Sequence, residues 1–103
     1  MNICLIYGGR SGEHEISLIS ASSVARGFSK KDNITLIGIA KDGKWYLQDK
    51  SEYERICKDE KATFTITADE SKLVNIIPGG KKNSFCVEGK ALDIDVVFPA
   101  LHG

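Results

Sequence analysis

Several absences in this sequence each remove a class of protein. No apolar run approaches the roughly 20 residues that a membrane-spanning helix needs. The N-terminus lacks the basic start and small-residue cleavage site of a secretory signal, and its apolar run is too short. Charge of either sign is not in excess: 14 Lys and Arg balance 14 Asp and Glu. Nothing in the charge therefore argues for nucleic acid or an anionic membrane as a partner. Cysteine is sparse and scattered, at Cys4, Cys57 and Cys86, with no Cys-x-x-Cys pair. Such a set suits small buried hydrophobes, kept reduced in a cytosolic protein, better than a disulfide frame or a zinc site.

Familiar catalytic and nucleotide motifs are missing too. There is no Gly-x-Gly-x-x-Gly and no Walker loop. The second strand ends Ile39-Ala40-Lys41, without the acidic residue that would hold a ribose, so dinucleotide binding is disfavoured. No Gly-x-Ser-x-Gly, no thiol paired by motif with a histidine, and no clustered carboxylates for magnesium occur. Internal repeats and low-complexity linkers are absent. What remains is a chain of one domain's length, 103 residues, long enough to bury a modest core.

The informative stretch is Tyr7-Gly8-Gly9-Arg10-Ser11-Gly12-Glu13-His14-Glu15-Ile16-Ser17. The apolar run Ile3 to Tyr7 leads into it and fits a strand covered on both faces, as in a parallel sheet. Gly8 and Gly9 let the chain turn sharply above that sheet. A helix should begin between Ser11 and Glu15. Ser11 or Gly12 can cap it, with Glu13 and Glu15 near its positive end. Leu18, Ala21, Val24, Ala25 and Phe28 form an apolar stripe at helical spacing. Ser17, Ser20, Ser22, Ser23 and Gly27 are small, which permits close approach to the sheet or to another chain. Gly27 and the polar run 29–33 end the helix.

Ile34 to Ala40 reads as a second strand, which completes a βαβ unit. Asp42-Gly43 signals a hairpin, and Trp45-Tyr46-Leu47 returns antiparallel, a departure from a pure Rossmann pattern. Asp49 to Lys58 reads as a short helix capped by Asp49 or Ser51, with Tyr53, Ile56 and Cys57 facing inward. Residues 62–67 alternate weakly and specify little. Leu73 to Ile77 predicts a strand stopped by Pro78-Gly79-Gly80. Residues 84–87 and 90–92 flank Glu88-Gly89 as a second small hairpin. The region from Trp45 to Leu92 is expected to elaborate the sheet's edge, and Asp95 to Leu101 to return as a buried, central strand. The resulting fold class is α/β: a Rossmann-like, mostly parallel sheet with flanking helices and an antiparallel hairpin elaboration, one domain over residues 1–103. A buried strand that runs straight into His102-Gly103 is an odd natural close, so a fragment of a longer protein is expected.

In open α/β sheets ligands bind outside the carboxyl ends of the strands, where the glycine turn falls. The glycines could serve the turn alone. Glu13 and Glu15, two positions apart, point to roughly opposite sides of a helix. They either stabilise the dipole by up to about 1 kcal/mol, or one of them offers an anionic partner to a ligand's ammonium. His14 between them reads as an exposed residue or a spacer. His102 follows a strand directly and precedes a glycine, at the ligand-facing edge. If the first and last strands are neighbours, it shares one cleft with the Glu13 turn and could donate to a carboxylate. A histidine satisfied by backbone at a strand end is the plainer alternative.

The block from Gly8 to Ser17, followed by Ser20-Ala21, resembles the N-terminal signature of the D-alanine–D-alanine ligases. Residues 37–45, Ile-Gly-Ile-Ala-Lys-Asp-Gly-Lys-Trp, resemble the same family's longer form. Val96 to Gly103 is similar to the strand and first two residues of that family's His-Gly-x-x-Gly-Glu-Asp-Gly motif. The resemblance is weakest between about Ser51 and Leu92. It implies the first, pre-ATP-grasp domain of an ATP-grasp ligase, with the central and C-terminal domains absent. Such enzymes phosphorylate one D-alanine's carboxylate; the amine of a second D-alanine attacks the acyl phosphate and displaces phosphate, and the dipeptide enters peptidoglycan. The resemblance assigns Glu13 to the ammonium of the first D-alanine, His102 to the same pocket near the carboxylate, and Ile16 to its apolar lining. It also implies that ATP and magnesium (or manganese) bind outside this chain, in a cytoplasmic homodimer. D-alanine–D-lactate and D-alanine–D-serine ligases share a similar signature. A free-standing Rossmann-like binding module without catalysis is the rival from another class.

Overall fold

The computed structural model describes residues 1–9, 14–76 and 85–100. In chain order its strands and helices are β1 (Asn2–Gly8), α1 (His14–Arg26), β2 (Asn33–Ile39), β3 (Trp45–Leu47), α2 (Lys50–Lys58), β4 (Val74–Ile76), β5 (Phe85–Val87), β6 (Lys90–Ala91) and β7 (Val96–Ala100). A single 3-10 turn, Glu70–Lys72, precedes β4. The continuous apolar run of β1 is buried because a strand lies on each side of it and a layer on each face. The main sheet has the order β3-β2-β1-β7. β2 and β7 both run parallel to β1, with Ile3 opposite Ile34 and Val96, Gly8 opposite Ile39, and Tyr7 opposite Ala100. β3 is antiparallel to β2, as the Asp42-Gly43 turn predicts.

Alternate residues of β1 enter different cores, as the two-residue period of a strand requires. Ile3, Leu5 and Tyr7 meet Leu18, Ala21 and Ala25 of α1, Ile56 of α2, and Phe64. Cys4 and Ile6 pack with Ile37, Ile39, Val74 and Ile94, closed over by Phe85, Val87 and Leu92. β4, β5 and β6 form a separate antiparallel sheet. Glu88 and Gly89 turn it with φ of +51° and +79°. The region from Trp45 to Leu92 therefore elaborates the sheet's edge only at its start, where β3 pairs β2. From α2 to residue 67 it joins α1 on one face of the main sheet, and its second half covers the other face.

Two further expectations are corrected. β7 is an edge strand of the main sheet rather than a central one, and Val96, Val97 and Phe98 are each 42–43% exposed. An apolar run records that a strand suits apolar cover, not which neighbour supplies it. Among the described residues no strand flanks β7 on its outer side, and only Ala100 of this strand is buried. In α2, Asp49 caps the helix as expected, its carboxylate accepting the Ser51 N–H at 2.9 Å. Cys57, however, is exposed. The apolar face of this nine-residue helix is narrow, and Ile56 alone is fully buried. Ile77, Pro78-Gly79-Gly80, Ser84 and the Ser11 or Gly12 cap lie outside the described residues. Among those described, no helix is long and apolar enough to cross a membrane.

Candidate functional site

The crossover from β1 to β2 lies on one side of β1, and β7 pairs on the other. The carboxyl end of β1 thus lies between the ends of β2 and β7, on the edge where open α/β sheets bind ligands. Four things meet there: the Gly8-Gly9 turn, the ends of β2 and β7, and the first turns of α1. Gly8 and Gly9 have φ of +98° and +128°, which favour glycine. The Gly9 N–H donates to the Ile39 carbonyl at 3.0 Å, drawing the chain across the end of β2. A Cβ on Gly8 would stand 2.3 Å from that carbonyl oxygen and 2.8 Å from Cδ1 of Ile66. Ile66 also covers Gly38, where a Cβ would lie 2.9 Å from its Cγ1.

Ser17, in the second turn of α1, is wholly buried. Its hydroxyl accepts the Gly8 N–H at 2.9 Å and donates to the Ala100 carbonyl. One side chain therefore joins the end of β1 to the end of β7. Ser22, one turn further on and equally buried, donates to the Leu18 carbonyl and accepts the Phe64 N–H, each at 2.8 Å. Sequence reading treats both serines merely as small. A serine on the apolar side of a helix, rather than its outer side, was the available signal that a specific partner awaits it.

Residues 62–67 are the second feature that the sequence underspecifies. They hold no regular structure, yet polar groups fix them on several sides. Phe64 stacks on Tyr7 with ring centroids 4.6 Å apart. The Gln48 amide donates to the Thr67 carbonyl at 3.0 Å and accepts the Thr67 N–H at 2.9 Å. Glu52 accepts the Thr65 N–H at 3.1 Å and pairs with Arg55 at 2.8 Å. Burial alone would raise the Glu52 pKa, but the Arg55 guanidinium and the Thr65 N–H outweigh it and hold the carboxyl below the usual range. The Tyr7 hydroxyl is buried without a hydrogen-bond partner among the described residues. Burial and the Glu52 charge push its pKa up, against a smaller opposing effect of Arg55. Burial likewise pushes the Cys4 thiol up to about 12, which leaves it an inert hydrophobe.

Of the residues expected to form the site, Glu13 and His102 lie outside the described residues, as does the His14 side chain. Their flanks are described: Gly9 and the start of α1 on one side, Ala100 on the other. The condition for a shared cleft, adjacency of the first and last strands, is met. Ile16 lies in the first turn of α1 and is 49% exposed, beside the inward-facing Ser17. Glu15 stands 3.7 Å from Lys41, just past β2, with both side chains well exposed. Such a pair contributes at most about 1 kcal/mol.

A mostly parallel α/β sheet with a glycine turn and a helix start at the carboxyl ends of its strands defines a Rossmann-like domain with one candidate ligand crevice. Residues 2–103 match the family described as "D-ala D-ala ligase N-terminus", and the chain belongs to that family. It is 52% identical over 104 residues to the D-alanine–D-alanine ligase of Treponema denticola, covering 100% of this chain and 28% of the relative. With the Treponema pallidum enzyme of the same name it shares 40% identity over 104 residues, covering 100% of this chain and 26% of that one. Among solved structures, the D-alanine–D-alanine ligase of Coxiella burnetii superposes with a TM-score of 0.75 at 26% identity, covering 100% of this chain and 29% of the other. The VanG D-Ala:D-Ser ligase of Enterococcus faecalis gives 0.67 at 29% identity, covering 99% and 29%. The chain thus spans little more than a quarter of the length of these relatives.

Proposed function

We propose that residues 1–103 are the first-substrate domain of an ATP-dependent ligase that joins two D-alanines for bacterial peptidoglycan. The observation that carries this reading is the convergence of both motif flanks, Gly8-Gly9 with the start of α1 and Ala100, on one hydroxyl at the end of β1. In this reading Glu13, simply ionised, holds the ammonium of the first D-alanine. His102 lies near its carboxylate, and the exposed Ile16 lines the apolar side. Fixing both ends of a small substrate aims its carboxylate at the phosphoryl donor, which is catalysis by positioning. Among the described residues no three His, Cys, Asp or Glu side chains gather as metal ligands. ATP and magnesium or manganese are assigned to the remainder of the longer enzyme, and no step in this chain runs through them.

The exposed Val96, Val97 and Phe98 of β7 support packing of the enzyme's remaining domains along that edge. Ile19, also exposed on α1, supports a contact with a second copy in a homodimer. Three free cysteines suit a cytoplasmic setting. The test is Glu13→Gln in the whole enzyme. Loss of a charged hydrogen bond contributes about 1.5–3 kcal/mol, so first-site use of D-alanine should weaken about 10- to 150-fold. Unchanged kinetics at limiting D-alanine would refute the assignment. The likeness to VanG favours one second reading, a D-alanine–D-serine ligase. Product analysis with D-alanine, D-serine and D-lactate as second substrate over a range of pH separates the alternatives.

A further inference from the structure

We infer that Ser17 is a positioning residue for the first substrate: its hydroxyl sets the spacing between the Glu13 turn and the strand that leads to His102. The inference rests on the ligase reading above. The hydroxyl has one proton to give and lone pairs to accept with. The proton goes to the Ala100 carbonyl, and a lone pair takes the Gly8 N–H at 2.9 Å. Both bonds are buried, and the side chain has no exposed surface. The three residues belong to three different elements, with Ser17 and Ala100 83 positions apart in sequence.

What Ser17 joins decides its consequence. Gly8 closes β1 just before the chain enters residues 10–13, and α1, which carries Ser17, receives the chain on the far side. Both described ends of the Glu13 turn are therefore tied to one oxygen. Ala100 closes β7, two residues before His102. The parallel register, Tyr7 opposite Ala100, aligns the two strands up to this point. Beyond the ladder Ser17 supplies the link that sets how far apart the two exits lie. The substrate spans only from an ammonium to a carboxylate, so a shift of about 1 Å between those exits loosens the hold on one end of it and can lower kcat/KM for the first D-alanine about 100-fold, through KM. Ser22 makes a comparable pair of bonds on the same helix, but to Leu18 and Phe64, away from both exits. It serves as the internal control.

The test is steady-state kinetics of Ser17→Ala in the whole enzyme, read as ADP release at varied D-alanine and varied ATP. The expected result is a rise in KM for the first D-alanine of about 10- to 100-fold, with KM for ATP within about twofold of the parent. Ser22→Ala should leave the D-alanine KM within about threefold. Ser17→Cys fills the site but bonds weakly. It should shift the same constant in the same direction, and it serves if the alanine variant does not fold. A purely structural serine would lower the folded fraction without moving the KM of what remains. A double-mutant cycle adds a second readout: in a Glu13→Gln background Ser17→Ala should raise the KM by less than about threefold, because its partner in positioning is already lost. A parent enzyme with no D-alanine-dependent ADP release overturns the ligase reading, and the role of Ser17 with it. An active parent with unchanged D-alanine KM in both Ser17 variants, or full additivity with Glu13→Gln, overturns the Ser17 inference alone.

Discussion

Alanine at Gly8, Gly9 and Gly38 tests the construction of the crevice, because each glycine is needed for a different reason. At Gly9, φ is +128° but no described residue comes within 4 Å of an added Cβ, so Gly9→Ala is expected to meet backbone strain, about 1–3 kcal/mol. At Gly38 no positive φ applies, and an added Cβ meets only Ile66 side-chain atoms at 2.9–3.3 Å. These can shift, so about 1 kcal/mol of overpacking is expected. At Gly8 both penalties act together, with φ of +98° and a Cβ 2.3 Å from the Ile39 carbonyl oxygen. That oxygen cannot retreat freely, because it also accepts the Gly9 N–H at 3.0 Å. Strain and overpacking together put Gly8→Ala at about 3–6 kcal/mol. The assay is urea unfolding of the chain, followed by the fluorescence of its single tryptophan, Trp45. With a slope of about 1–3 kcal/mol per molar urea, Gly8→Ala should lower the midpoint by at least about 1 M or abolish folding. The order Gly8 > Gly9 > Gly38 is the result required. In addition, Ile66→Ala should relieve Gly38→Ala almost fully but Gly8→Ala only in part, because the contact with the Ile39 carbonyl and the positive φ remain. Equal losses at Gly8 and Gly9 would refute the placement of the Ile39 carbonyl against the turn.

Two further outcomes follow from the residues beneath that turn. Tyr7→Phe removes a buried hydroxyl that has no partner among the described residues while keeping the stack on Phe64. It should stabilise the chain by about 1 kcal/mol in the same urea assay, and a loss of stability would mean the hydroxyl is satisfied in solution. Glu52 ionises more readily when folded than the ordinary value of 4.5. Its contribution to stability is therefore complete above pH 4.5 and is lost as pH falls through the lower folded value. Glu52→Gln should flatten the acid limb of a plot of unfolding midpoint against pH, and an unchanged limb would assign that dependence to other carboxylates.

Signals that act within a few residues were legible in the sequence, and those that depend on distant partners were not. The apolar run of β1, the paired glycines, the helical stripe through Leu18, Ala21 and Ala25, and the Asp-Gly and Glu-Gly turns each have a local cause in side-chain period or permitted backbone angles. With them came the βαβ unit and the family resemblance of residues 8–17 and 96–103. Which serines are buried was not legible, because Ser17 meets Ala100 and Ser22 meets Phe64 across long loops of chain. Nor was the course of residues 62–67, whose order comes from Gln48, Glu52 and Ser22 and not from any period of their own. Cys57 looked inward by helical spacing, but only tertiary contact decides how wide a helix's buried face becomes. β7 is apolar enough for the centre of a sheet, yet its sequence could not say that it would lie at the edge of the sheet the described residues form. A residue's type sets what surroundings it tolerates; the packing of separate elements decides what those surroundings are.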